Sequence, residues 1–173
     1  SPPGELGTAE DGGPFHRNFP VEAGFNDTEL KFLMESAVLP LLQAFKPQVV
    51  YCQGGCDGLA EDPQSKLKIS NRAIWRSITT ISAIAPNLIV SGGGGYNPYS
   101  VGRCWTGIWA TLNGFEIPAR LPEAAVALMS EIRWDHRLGR NPPTHWLTTL
   151  ADNERHGRVR EQTKELIRKS LTI

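Results

Sequence analysis

Two short apolar runs, each ending in a glycine-rich turn that carries one reactive side chain, limit what this chain can fold into. Val49-Val50 leads into Tyr51-Cys52-Gln53-Gly54-Gly55-Cys56-Asp57-Gly58-Leu59, and Leu88-Ile89-Val90 leads into Ser91-Gly92-Gly93-Gly94-Gly95-Tyr96. Apolar runs this short, bounded by glycine, read as buried strands. Between them Ile74, Ile78, Ile81 and Ala85 recur at three- and four-residue steps, the spacing of one helix face. After the second run, Val101, Cys104, Trp105, Ile108, Trp109 and Leu112 repeat that pattern. Upstream, Asn26-x-x-Glu29 has the form of a capping box ahead of Leu30, Leu33, Met34, Ala37, Val38, Leu41, Leu42 and Phe45. The order helix, strand, helix, strand, helix predicts an α/β fold: a parallel sheet with helices on both faces. Ligands bind such sheets beyond the carboxyl ends of the strands, so Asp57 and Tyr96 are expected to face one crevice. A carboxylate and a phenol there suggest metal-assisted chemistry on a polarised carbonyl. Taken alone, Asp57 reads first as a turn or helix-capping aspartate and only second as a ligand, and Tyr96 also reads as a loop aromatic packed on Pro98.

The chain reads as one unit over residues 1–173: loop over 1–14, a βα core over 15–114, and surface-wrapping segments with a terminal helix over 115–173. Phe15 to Val21 has the form of a short strand. Pro40 is expected to kink the first helix, Lys46-Pro47 to end it, and Ser70 or Asn71 to cap the second. The terminal helix is expected across 152–171, with Val159, Leu166, Ile167 and Leu171 as its apolar stripe. Arg155, Arg158 and Arg160 would lie on its solvated face.

Lys+Arg and Asp+Glu balance at 18 each, so no net charge favours nucleic acid or acidic membrane surfaces, and neither is expected as a main partner. No stretch of about eighteen apolar residues predicts a membrane span, and the first residues do not show the basic and apolar regions expected of a secretion signal. The odd count of three cysteines points to a reducing, cytoplasmic setting. Cys52-x3-Cys56 has no second pair, so Cys52, Cys56 and Cys104 are expected to be buried structural thiols. The glycine run lacks the spacing of a dinucleotide loop and the Lys-Ser/Thr of a P-loop. Glu61 and Asp62, adjacent in a loop, are expected to be solvated. His136 and His145 flank a Pro- and Arg-rich loop where a second metal could sit.

Val49-Val50-x-x-Gln53-x-Gly55-x-Asp57-x-Leu59, then Asp62, then Leu67-x-Ile69-Ser70, resembles the zinc-dependent histone deacetylase superfamily. Gly92-Gly93-Gly94-Gly95-Tyr96 followed by Val101-x-Arg103-Cys104-Trp105-Thr106 is similar to a second block of that family, and Asn18-Phe19-Pro20-Val21 to a third. Leu67 to Trp75, Asn97-Pro98 and Trp109-x-x-Leu112-Asn113-Gly114-x-Glu116-Ile117-Pro118 look most like its bacterial acetoin-utilization branch. The resemblance implies an arginase/deacetylase-like fold and hydrolysis of the acetyl amide of acetyl-lysine or a small acetylated amine. It implies Asp57 as one of three Zn2+ ligands and Tyr96 as the donor to the developing oxyanion. Gly93, Gly94 and Gly95 would border the acyl-lysine channel, with Gln64 near its mouth, where the family often has an aliphatic residue.

The chain departs from the family upstream. The family's Asp-x-His element and tandem histidines have no counterpart here, since His16, His136, His145 and His156 sit in no such context, and Asp11 precedes Gly-Gly-Pro. The sequence therefore reads as the carboxyl-terminal half of a deacetylase domain. One ligand does not make a zinc site, because catalytic sites keep three protein ligands. By itself the chain is expected to be inactive, and to need an amino-terminal complementary segment or to self-associate through an exposed sheet edge and apolar face. The other reading is a non-catalytic interaction module or an inert truncated homologue.

Overall fold

A computed structural model describes residues 8, 9, 12, 13 and 15–172 of the chain. The loop expected over 1–14, Asp11 included, thus lies largely outside the described residues. Helix α1 (Asp27–Leu33) opens on a complete capping box: Asn26 Oδ1 accepts from the amides of Thr28 and Glu29, and Glu29 reaches back to the Asn26 amide. A π-helical turn (Met34–Val38) then leads into α2 (Leu39–Phe45). Pro40 is at the start of α2, where a missing amide is tolerated, and the ladder just before it widens so that the Leu39 amide reaches Met34 O. The proline is thus absorbed by a π turn. Lys46, in the left-handed region at φ 53°, and Pro47 end the helix.

Strand β1 (Val50–Gly54) pairs in parallel with β2 (Leu88–Gly92), Val50 opposite Leu88 through Gly54 opposite Gly92. Helix α3 (Asn71–Ile84), capped by Ser70, joins them, and α4 (Pro98–Leu112), capped by Asn97, follows β2. The βαβ order read from periodicity is therefore present. Helices α3 and α4 cover the sheet face that carries Cys52, Leu88 and Val90, building a core of Cys56, Leu59, Trp75, Ile78, Cys104, Ile108 and Leu150. Their close crossing depends on Gly107, where any Cβ would overlap the Trp75 indole, whose Nε1 donates to Cys104 O at 2.9 Å. On the opposite face Tyr51 is 65% and Ile89 53% exposed.

Residues 15–21 form no strand; among the described residues a short antiparallel bridge between Gly13 and His16 is the pairing there. The later chain folds into α5 (Glu123–Glu131), a 3-10 turn (Arg137–Gly139), α6 (Thr144–Thr148) and α7 (Glu161–Thr172). The terminal helix thus begins at Glu161, because residues 152–160 form no regular element and spend their polar groups on tertiary contacts. Arg155 N donates to Asp27 Oδ2 at 2.8 Å, and the same carboxylate accepts from Ser70 N and Oγ. Arg160 reaches Glu29 Oε1 through both its amide and Nε, at 3.2 and 2.8 Å. Arg155 and Arg160 are tethers between distant segments rather than parts of a solvated helix face.

No helix among the described residues is long and apolar enough to cross a membrane. The three cysteines are free. Hydrogen bonding to Cys56, with burial, pushes the Cys104 thiol far above its ordinary range, and burial raises Cys52. Neither is poised as a thiolate.

Burial of Glu29 would raise its pKa, yet bonds from Arg160, Thr163 and the Asn26 amide outweigh this and hold the carboxyl below its ordinary value. A depressed folded value adds stability above the unfolded pKa and loses it as pH falls through the folded one. Wild type is expected to melt above Glu29→Gln at pH 7, with the margin shrinking as pH falls below the ordinary value of 4.5. Melting curves from pH 7 to about pH 3 check this; a margin that grows on acidification contradicts it.

Candidate active site

The register of the sheet brings the two glycine turns together. Gly54 and Gly92 are paired, so the segments leaving β1 and β2 start side by side. A Cβ at Gly93 would lie 2.8 Å from Gly55 Cα, and one at Gly94 would overlap the Asp57 carboxylate. Gly95, at φ +149°, would press a Cβ onto Val101 and Cys56. Cys56 N donates to Gly94 O at 2.6 Å, stitching the turns together. The space left by the three missing side chains is thus taken up by the segment that leaves β1 toward Asp57 and, at Gly95, also by Val101 of α4.

Asp57 follows β1 in an exposed turn, and no hydrogen bond or ion pair among the described residues engages its carboxylate. Tyr96 stands at the end of the glycine run, 50% exposed, and its hydroxyl has no hydrogen-bond partner among the described residues. Two groups able to do chemistry are therefore held by touching loops, with their polar atoms uncommitted. Gln64 is exposed, and its amide donates to Asp62 Oδ1 at 2.9 Å. The same carboxylate accepts from Tyr96 N at 2.6 Å, which places Gln64 on the loop that braces Tyr96.

Glu61 and Asp62 are not solvated. Asp62 is only 4% exposed. Glu61 O accepts from Asn97 Nδ2 at 2.9 Å, and its carboxylate meets His145 Nε2 at 2.8 Å, Arg155 Nη2 at 3.3 Å, Arg103 Nη1 at 3.5 Å and the Trp146 indole. Buried Arg103 also pairs with Asp152 Oδ1 at 2.7 Å and donates from Nε to Thr149 O at 2.8 Å. Glu61, His145 and Asp152 bring ligand-type atoms within 4.8 Å of one another. A cation there would have to displace the guanidinium already paired to both carboxylates, so the cluster is an ion-pair network. His136 instead stacks on Trp134 at a centroid distance of 4.6 Å and caps its own turn. The two histidines are thus not gathered around a second metal site.

Sequence reading missed this bracing. Its local part was visible, because Asp-Pro-x-Ser is an Asx-turn pattern in which an aspartate accepts from the amide two residues on. The partners from residues 96, 97, 103 and 145–155 lie too far along the chain for any local pattern to show.

Comparison with known proteins agrees with this architecture. The Histone deacetylase domain family matches residues 3–112. Histone deacetylase 9 of Arabidopsis thaliana is 29% identical over 120 residues, covering 69% of this chain and 28% of that protein. Histone deacetylase 8 of Xenopus tropicalis is 26% identical over 106 residues, covering 61% of this chain and 29% of that protein. A crystal structure of an HDAC homolog from Aquifex aeolicus superposes with a TM-score of 0.82 at 30% identity, covering 94% of this chain and 48% of that one. An HDAC homolog complexed with SAHA gives a TM-score of 0.80 with the same identity and coverage. The chain belongs to the histone deacetylase family and has its α/β fold. It spans less than half the length of each of these relatives.

Proposed function

We propose that this chain is the carboxyl-terminal portion of a zinc-dependent deacetylase domain, of the acetoin-utilization type. It would act on acetyl-lysine or a small acetylated amine, in a reducing, cytoplasmic setting. The observation that carries this reading is the contact of Gly94 with Asp57, which sets the turn bearing a carboxylate uncommitted among the described residues against the glycine run that ends at Tyr96.

Asp57 fits a ligand's part: a carboxylate with no competing bond among the described residues, in a cradle that any side chain at Gly94 would fill. When bound, zinc polarises the amide carbonyl and lowers the pKa of its water. Two further ligands and the general base would come from the completing segment, since one carboxylate does not make the site. Tyr96 donates its O–H to the amide oxygen, whose negative charge is fullest in the transition state. Gly93, Gly94 and Gly95 form part of the channel wall and Gln64 part of its rim.

The sheet supports the same reading. Tyr51 and Ile89 present an apolar face of the kind that a further layer normally covers. We take the amino-terminal segment of the fold as its occupant. Without it, the chain is expected to pair with itself, and sedimentation should then show mass increasing with concentration. A monomer at every concentration tested would contradict this.

Tyr96→Phe in the complete domain is expected to lower kcat about 10²–10³-fold, the usual effect of losing such a donor, with KM little changed. Unchanged kcat would remove Tyr96 from the chemistry and favour a non-catalytic interaction module.

A further inference from the structure

We infer that Asp62 is a positioning residue for the proposed transition-state donor, its buried carboxylate fixing the backbone at Tyr96 and hence the reach of the phenol. The inference rests on the reading of Tyr96 given above. The phenol is half exposed and makes no hydrogen bond within the described residues, so packing does little to hold it. Nor can the segment before it supply stiffness. Gly92 to Gly95 offers no side chains to anchor, and glycine carries the largest backbone freedom of any residue. The position of Tyr96 must therefore come from ties to its backbone.

Those ties are on three of four successive residues. Gly94 O accepts from Cys56 N at 2.6 Å, Tyr96 N donates to Asp62 Oδ2 at 2.6 Å, and Asn97 Nδ2 donates to Glu61 O at 2.9 Å. Asn97 also caps α4 through the amides of Tyr99 and Ser100, so the far end of the segment is fixed to a helix. Asp62 is the side chain in direct contact with Tyr96. Its other oxygen accepts from Gln64 N at 2.9 Å, which holds the carboxylate in one orientation. A buried carboxylate with both oxygens on backbone amides is stable only while both amides stay in place. The contact therefore defines the backbone of both loops at once. Small misplacements matter, because a shift of about 1 Å at a reacting group costs roughly 10²-fold in rate.

Asp62→Asn keeps the shape but turns one acceptor into an N–H facing an amide N–H. In the complete domain it is expected to lower kcat about 10–100-fold with KM changed less than about threefold. In a Tyr96→Phe background the same change should lower kcat no further, because a residue that acts only by placing the phenol has nothing left to place. Equal losses in both backgrounds, or no loss beside an intact Tyr96, would overturn the inference while leaving Tyr96 as donor. If Tyr96→Phe itself has no effect, the functional reading falls, and the inference with it. Amide hydrogen exchange on the unaltered domain tests the contact even if the variant does not fold. The Tyr96 amide should be protected well beyond an unbonded loop amide, and exchange at the unbonded rate would overturn the inference.

Discussion

The contact between Gly94 and Asp57 is the constraint on which the rest of this structure turns. Parallel pairing of β1 and β2 fixes where the two turns begin, and only glycine at 93, 94 and 95 lets them close on each other. A methyl group would meet the Gly55 backbone at 93, the Asp57 carboxylate at 94, and Val101 and Cys56 at 95. Trp105 reinforces the arrangement from α4: its indole lies against Gly92 and donates to Gly54 O at 2.9 Å, spanning both strand ends. Helix, sheet and turns thus converge on one small region, and the two uncommitted side chains stand at its surface.

Behind that region lies the ion-pair network of Glu61, Arg103 and Asp152. Burying these charges is expensive, and their mutual attraction offsets the loss of water only when geometry and hydrogen bonding are good. What the network does supply is a fixed relation between segments far apart in sequence. Glu61 is next to Asp62, Arg103 is on the helix that follows the glycine run, and Asp152 exchanges hydrogen bonds with Asn71 at the start of α3. The carboxyl-terminal segment, through His145, Trp146 and Arg155, closes the network from outside. The loop that braces Tyr96 is therefore held by residues from three parts of the chain.

Much of this could be read locally. The caps Asn26, Ser70 and Asn97, the apolar periodicity of α3 and α4, and the strand ends at Asp57 and Tyr96 each leave a short-range mark in the sequence. What escaped depends on partners remote in sequence or on subtle backbone choices. Pro40 announces a disturbance but not that a π turn will absorb it. Residues 152–160 look helical in composition, yet Asp27, Glu29 and Glu61 draw their polar groups into tertiary contacts. Glu61 and Asp62 look like surface carboxylates, and only the fold shows that arginine, tryptophan and backbone amides surround them. Trp105 and Trp109 fit the apolar face of α4 by spacing, but the helix turns both partly outward.

The central claim, that Asp57 is one zinc ligand of a site completed by another segment, is most directly tested by metal content. The chain should be purified together with its completing segment, the polypeptides identified by intact mass, and the zinc measured. About one zinc per chain, with most of it lost in Asp57→Ala, is the predicted result. No zinc in the complete assembly, or zinc undiminished by that substitution, would contradict the account.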